Sequence, residues 1–140
     1  MKRTTAIALI AMANLALAGT SFAQSYGVRA TVPFDFTVGN KLLPSGTYIM
    51  ERQAKNSNVL MIRSHDKPIA VLSLVHPDGN KCRNGGKLLF HRYGGQYFLS
   101  EILSDGAGMN VELSPSKAEK RAQLQQATLN TSSPTVIAAQ

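Results

Sequence analysis

The sequence predicts a mainly β domain: an antiparallel sandwich or small barrel of about seven strands with one C-terminal helix. Three observations predict it. Residues 28–38 alternate apolar and polar side chains without a break. A Gly94-Gly95 pair separates two strand-like runs. Turn residues recur about every 8–12 positions as far as Leu113, where the composition shifts to helix formers.

Ahead of the first strand stands a leader. Met1-Lys2-Arg3 carries two positive charges, an apolar run from Ala6 to Ala18 is interrupted only by Asn14, and Ser21-Phe22-Ala23 places small residues at −3 and −1 of a cut before Gln24. A charged start, a short apolar stretch and a small-x-small exit are the three parts of a secretory signal. The run is too short for a membrane span, which needs about 20 apolar residues. The expected organisation is a signal peptide at 1–23, a β-domain at 24–113, a helix at 114–129 and a disordered tail at 130–140. The address this implies is periplasmic or secreted, with no transmembrane segment. The single cysteine, Cys82, lies far beyond the apolar run, which excludes the usual lipoprotein form and any internal disulfide.

The elements follow in order. Val28, Ala30, Val32, Phe34, Phe36 and Val38 fill the even positions of one strand, and Arg29, Thr31, Pro33, Asp35 and Thr37 the odd ones. Alternation puts successive side chains on opposite faces, so one face is buried. Pro33 has no N–H for a ladder and marks an edge or a bulge. Pro44-Ser45-Gly46 is a tight turn into a strand over Thr47–Arg52, with Tyr48 and Met50 on one face. Lys55-Asn56-Ser57-Asn58 turns the chain again. Val59-Leu60-Met61-Ile62 and Ile69–Val75 are apolar on both faces, which predicts central strands and a filled core with a helix packed outside. His76-Pro77-Asp78-Gly79-Asn80 is a turn, followed by an exposed basic loop to Gly85-Gly86. Lys87–Tyr93 and Gln96–Leu103 form a hairpin about a primed Gly94-Gly95 turn. Its register sets Phe90 opposite Leu99, His91 opposite Phe98 and Glu101 opposite Leu88. Met109–Leu113 is a short last strand. Two starts suit the helix: Ser114 as cap with Pro115 at the first helical position, or Ser116 with Glu119 as a capping box. Its apolar stripe is thin, so it packs weakly or lies on the surface.

Val32-Pro33-Phe34-Asp35-Phe36-Thr37-Val38-Gly39, Leu43-Pro44-Ser45-Gly46-Thr47-Tyr48, Phe90-His91-Arg92-Tyr93-Gly94-Gly95-Gln96-Tyr97-Phe98-Leu99 and Glu112-Leu113-Ser114-Pro115-Ser116 resemble an uncharacterised family of small exported acidobacterial β-rich proteins. That resemblance implies no activity. Separately, Leu43-Pro44-Ser45-Gly46-Thr47-Tyr48 is similar to a turn of transthyretin-like and collagen-adhesin B-type sandwich domains, which implies a sandwich and an adhesion or stalk role.

Composition narrows the function classes. Removal of Lys2 and Arg3 with the leader leaves 13 Lys and Arg against 8 Asp and Glu, a net charge of +5 over about 117 residues. The charges are dispersed, which fits solubility and excludes a specific nucleic-acid footprint. Lys81, Arg83 and Lys87, with His91, Arg92, Tyr93 and Tyr97 nearby, are the candidate binding residues, a surface for a polyanion. Cys82 lies between Lys81 and Arg83, two cations that favour its thiolate, and is a candidate reactive thiol able to pair between chains. His65, His76 and His91 lack metal-ligand spacing, and His65 and His76 flank a strand roughly 30 Å long. No metal or other cofactor is expected. Asp35, Glu51 and Glu101 sit on strands, and nothing in the sequence pairs them. Neither Gly-x-Ser-x-Gly nor a phosphate-binding glycine loop is present. The expected role is therefore a non-enzymatic binding or structural one, with an envelope protein or a polyanionic surface as partner. The alternatives are a small envelope hydrolase using His91 or the carboxylates, and a carrier of an apolar ligand.

Overall fold

The computed structural model describes residues 26–54, 56–79, 85–128 and 133–139. The expected leader, Lys81, Cys82, Arg83 and the start of the expected tail lie outside the described residues. Ten strands run in the order β1 (Tyr26–Val32), β2 (Phe36–Val38), β3 (Lys41–Leu43), β4 (Gly46–Arg52), β5 (Val59–Ser64), β6 (Ala70–Pro77), β7 (Gly86–Tyr93), β8 (Gln96–Ser104), β9 (Met109–Leu113) and β10 (Ser133–Ala139). Among the described residues one helix, α1 (Lys117–Ala127), stands between β9 and β10. The fold is mainly β with one helix near the C-terminus, as expected, and the sheet does not close into a barrel. The strand count exceeds the expected seven because β2 and β3 have only three residues each and β10 replaces the expected tail.

Strands β1-β4-β5-β6 form one antiparallel layer. Strand β6 then changes layers: Ala70–Leu74 pairs with β5, whereas Val75–Pro77 pairs with β9. The second layer continues β9-β8-β7-β10, with β2 meeting β8 in parallel at Thr37 and Phe98. Side chains from both layers meet in one core that includes Val28, Met50, Ile62, Leu88, Phe90, Ile102 and Val111.

The alternating stretch is two strands rather than one. Every even position from Val28 to Val38 faces inward as the period requires, with Phe34 half-buried and the others buried. The chain nevertheless bends at Pro33-Phe34-Asp35 and passes from the first layer to the second. Pro33 follows the edge strand β1, where a missing N–H costs no ladder bond. Asp35 caps the next turn by accepting the Ser45 N–H at 2.8 Å, and the Tyr48 hydroxyl donates to the Pro44 carbonyl. Burial, and then the Asp35 carboxylate, pushes the Tyr48 phenol above its ordinary range. An aromatic chain crosses the core: Tyr97 stacks on Phe34, Phe34 and Phe36 each meet Phe90 edge to face, and Phe36 meets Tyr48.

The hairpin turn holds Gly94 at φ 60° and Gly95 at φ 98°, backbone that a primed turn demands and glycine supplies without strain. Phe90 pairs with Leu99 and His91 with Phe98, as the sequence predicts. The remainder of the expected register is corrected by a bulge. Ser100 is an extra residue, so Glu101 faces Leu89 instead of Leu88.

The expected disordered tail is also corrected. Residues 133–139 add a strand to β7 from Gly86 to Arg92, with Ala139 buried and Ile137 packed on the core. Gly86 permits this approach, since a Cβ there would stand 2.8 Å from the Ala139 carbonyl oxygen.

Candidate functional site

The outward face of the second layer carries the most concentrated polar chemistry among the described residues. Its placement begins with the bulge. Leu99 and Ile102 point into the core, and the two residues between them, Ser100 and Glu101, oppose the single residue Leu89. Two consecutive side chains are thereby turned to the outward face, where a regular strand would send one of them into the core. Leu89, His91 and Tyr93 of β7 share that face.

Helix α1 covers part of it. Ser116 is its cap and accepts the Glu119 N–H at 3.1 Å, which settles the two possible starts in favour of the second. The capping box is only half made, because the Glu119 carboxylate is committed elsewhere. It accepts from His91 Nδ1 at 2.7 Å, while His91 Nε2 stands 3.3 Å from the Ser100 hydroxyl. Ser100 and Glu119 are each 5% exposed, whereas the His91 side chain keeps 43% of its surface in solvent. Two further polar contacts hold the helix: Gly94 N–H to Gln126 Oε1 at 2.8 Å and Ala118 N–H to Asn40 Oδ1 at 3.3 Å. Ala122 is its one buried apolar residue, and Leu124 faces solvent. The thin stripe in the sequence is thus matched by a helix held mainly by polar contacts. Burial, and then the Glu119 charge, pushes the Tyr93 phenol upward.

Beside this cluster runs a row of acids. Glu112 pairs directly with Glu101 on one side and with His76 on the other. Burial raises the Glu101 carboxyl first; the neighbouring Asp78, through its charge and a hydrogen bond, and Glu112 raise it further, while His91 opposes them. The structure therefore pairs carboxylates that the sequence leaves apart. Asp35 and Glu51 have other work, at the Ser45 turn and in a 3.2 Å ion pair with Arg63.

The histidines do not converge. His65 bonds Asp66 at 2.7 Å, His76 bonds Ser114 at 3.0 Å, and His91 has the partners above. Among the described residues no group of three His, Cys, Asp or Glu side chains is disposed to hold a metal ion. The expected basic–aromatic surface is split. Lys87, His91 and Tyr93 lie on the outward face of β7. Arg92 and Tyr97 pair on the opposite face, with the guanidinium 5.6 Å from the ring centre. Neighbours along a strand point to opposite sides, and that separates residues the sequence places together. Ser100, Glu112 and Asp78 carry no motif and escape sequence reasoning, and Glu119 is legible there only as a capping residue, because the contacts depend on a bulge and a docked helix. The chain matches no family model, no curated protein and no solved structure.

Proposed function

We propose that the chain is an exported β-domain with a binding role in the cell envelope or outside the cell, and that the open half of β6 carries that role. The leader sequence supports the address. The observation that supports binding is the character of Ala70–Leu74. The Val75 N–H donates to the Asn58 carbonyl and the Ser64 N–H to that of Ile69, each at 2.8 Å, so odd-numbered backbone groups of β6 face β5. The N–H and C=O groups of Ala70, Leu72 and Leu74 therefore face the other edge, where among the described strands β9 alone pairs, and only from Val75 onward. Leu72 and Leu74 are 66% and 68% exposed and pair with Met61 and Val59, which widens the apolar strip to two strands.

Residues 69–75 contain no charge and no proline. Edge strands are ordinarily blunted by such residues, and exposed apolar patches mark interaction sites. The occupant this edge suits is an extended segment of a partner, added as a further strand. The discriminating experiment places a photo-crosslinking residue at position 72 in the native envelope and, as control, at position 124 on α1, which is equally exposed. A defined adduct from position 72 only, lost on Leu74→Lys, is the expected result. Equal adducts from both positions, or none from position 72, would refute the reading.

A further inference from the structure

The cluster beneath α1 supports a chemical role that goes beyond partner binding and does not depend on it. We propose that Ser100 is a nucleophile that accepts acyl groups from small esters, with His91 as its general base and Glu119 as the residue that positions His91.

The atom order carries the argument. Glu119 is a buried carboxylate that accepts from His91 Nδ1 at 2.7 Å, so that nitrogen holds the ring proton. The lone pair is left on Nε2, the nitrogen 3.3 Å from the Ser100 hydroxyl. This is the polarity a hydroxyl nucleophile requires: a base within reach of the O–H, itself oriented by a third group. Either ring nitrogen in the other place would undo it. The bulge adds a second, independent feature. Bulges re-aim side chains, and this one turns Ser100 toward His91 across the hairpin. Ser100 is 5% exposed, whereas the His91 side chain is 43% exposed. A hydroxyl this buried suits a small acyl group such as acetyl.

In the first half-reaction the Ser100 oxygen bonds to the ester carbonyl carbon as its proton passes to His91 Nε2. The carbon–alkoxide bond then breaks, and the alcohol leaves with that proton. In the second, water gives its proton to Nε2 and its oxygen to the acyl carbon. Ser100 leaves and takes the proton back, releasing the carboxylic acid.

The test treats the mature chain with a fluorophosphonate probe and with p-nitrophenyl acetate, and maps the adducts by mass spectrometry. A single phosphonylated residue, Ser100, and a burst of one equivalent of p-nitrophenol are expected. S100A loses both. E119Q leaves KM unchanged but slows acylation on the order of 10⁴-fold, since an amide in place of the carboxylate lets the ring take the wrong tautomer. An unlabelled wild-type chain, a label on another residue, or ester turnover equal to that of S100A overturns the proposal. The adduct map on the wild-type chain decides the matter even if a variant fails to fold.

Discussion

Phe90 is the hub of the aromatic chain, and its truncation offers a quantitative test of the core. The side chain is fully buried and meets Phe34 at 5.3 Å and Phe36 at 5.5 Å, both edge to face. Phe90→Ala removes the ring and leaves a cavity between the two layers, at a cost of about 4 kcal/mol. Domains of this kind hold about 5–15 kcal/mol in total, so the loss is a large fraction of the whole. At roughly 4 °C per kcal/mol for a chain of this length, the thermal midpoint falls by about 16 °C. Phe90→Leu keeps most of the apolar volume but gives up both ring contacts, at about 1–2 kcal/mol. Urea titration followed by far-ultraviolet circular dichroism measures both, with tyrosine fluorescence as a second probe because the chain has no tryptophan. A cost below about 2 kcal/mol for Phe90→Ala would mean that the layers do not close on this ring, and the two-layer account of the core would fail.

Four further outcomes follow from the second layer. Glu101→Gln stabilises the fold at neutral pH by about 0.5 kcal/mol, the order of one like-charge cross-strand contact. The folded carboxyl is raised, so the fold favours its protonated form. The penalty is present above the folded pKa and is relieved as pH falls toward the unfolded value, so urea midpoints of variant and parent converge in acid. A chain ending at Ser132 loses β10 and with it the packing of Ile137 and Ala139, at about 2–3 kcal/mol; an unchanged thermal midpoint would return residues 133–139 to the status of a tail. Deleting Ser100 removes the bulge while Leu99 and Ile102 keep their partners, at about 1–2 kcal/mol. Deleting Leu88 from the regular part of β7 turns side chains to the wrong faces and abolishes the cooperative transition.

Much of the fold is legible in the sequence because burial imposes a period on it. The even positions from Val28 to Val38 give strand character and the inward face directly. The change of layer at Pro33 stays hidden because the same side remains inward on both sides of the bend. The hairpin register is legible as far as Leu99, since a Gly-Gly turn fixes it from the tip. It is lost at Ser100, where an extra residue leaves no compositional mark. Strand β10 is misread because Ser-Ser-Pro resembles a linker and the strand is stabilised by β7 rather than by its own pattern. Leu72 and Leu74 read as core because apolar side chains on both faces ordinarily mean two covered faces; here α1 covers the other layer. The site is legible only in His91. Its partners are 9 and 28 residues away and meet it through tertiary structure alone.

The passage of β6 from one layer to the other bears on how the chain acquires its structure. A strand that belongs to both layers ties their formation together, and β1 packs against β10, so the earliest and latest described strands are neighbours. Contacts of such sequence separation incur a large loop-closure entropy before any burial repays it, and they slow folding. An emerging chain that still lacks Ser133–Ala139 leaves β7 as an unpaired edge and part of the core open to water. The last segment therefore completes a core that the earlier strands have already enclosed on its other sides, and β7 gains its second neighbour only when that segment arrives.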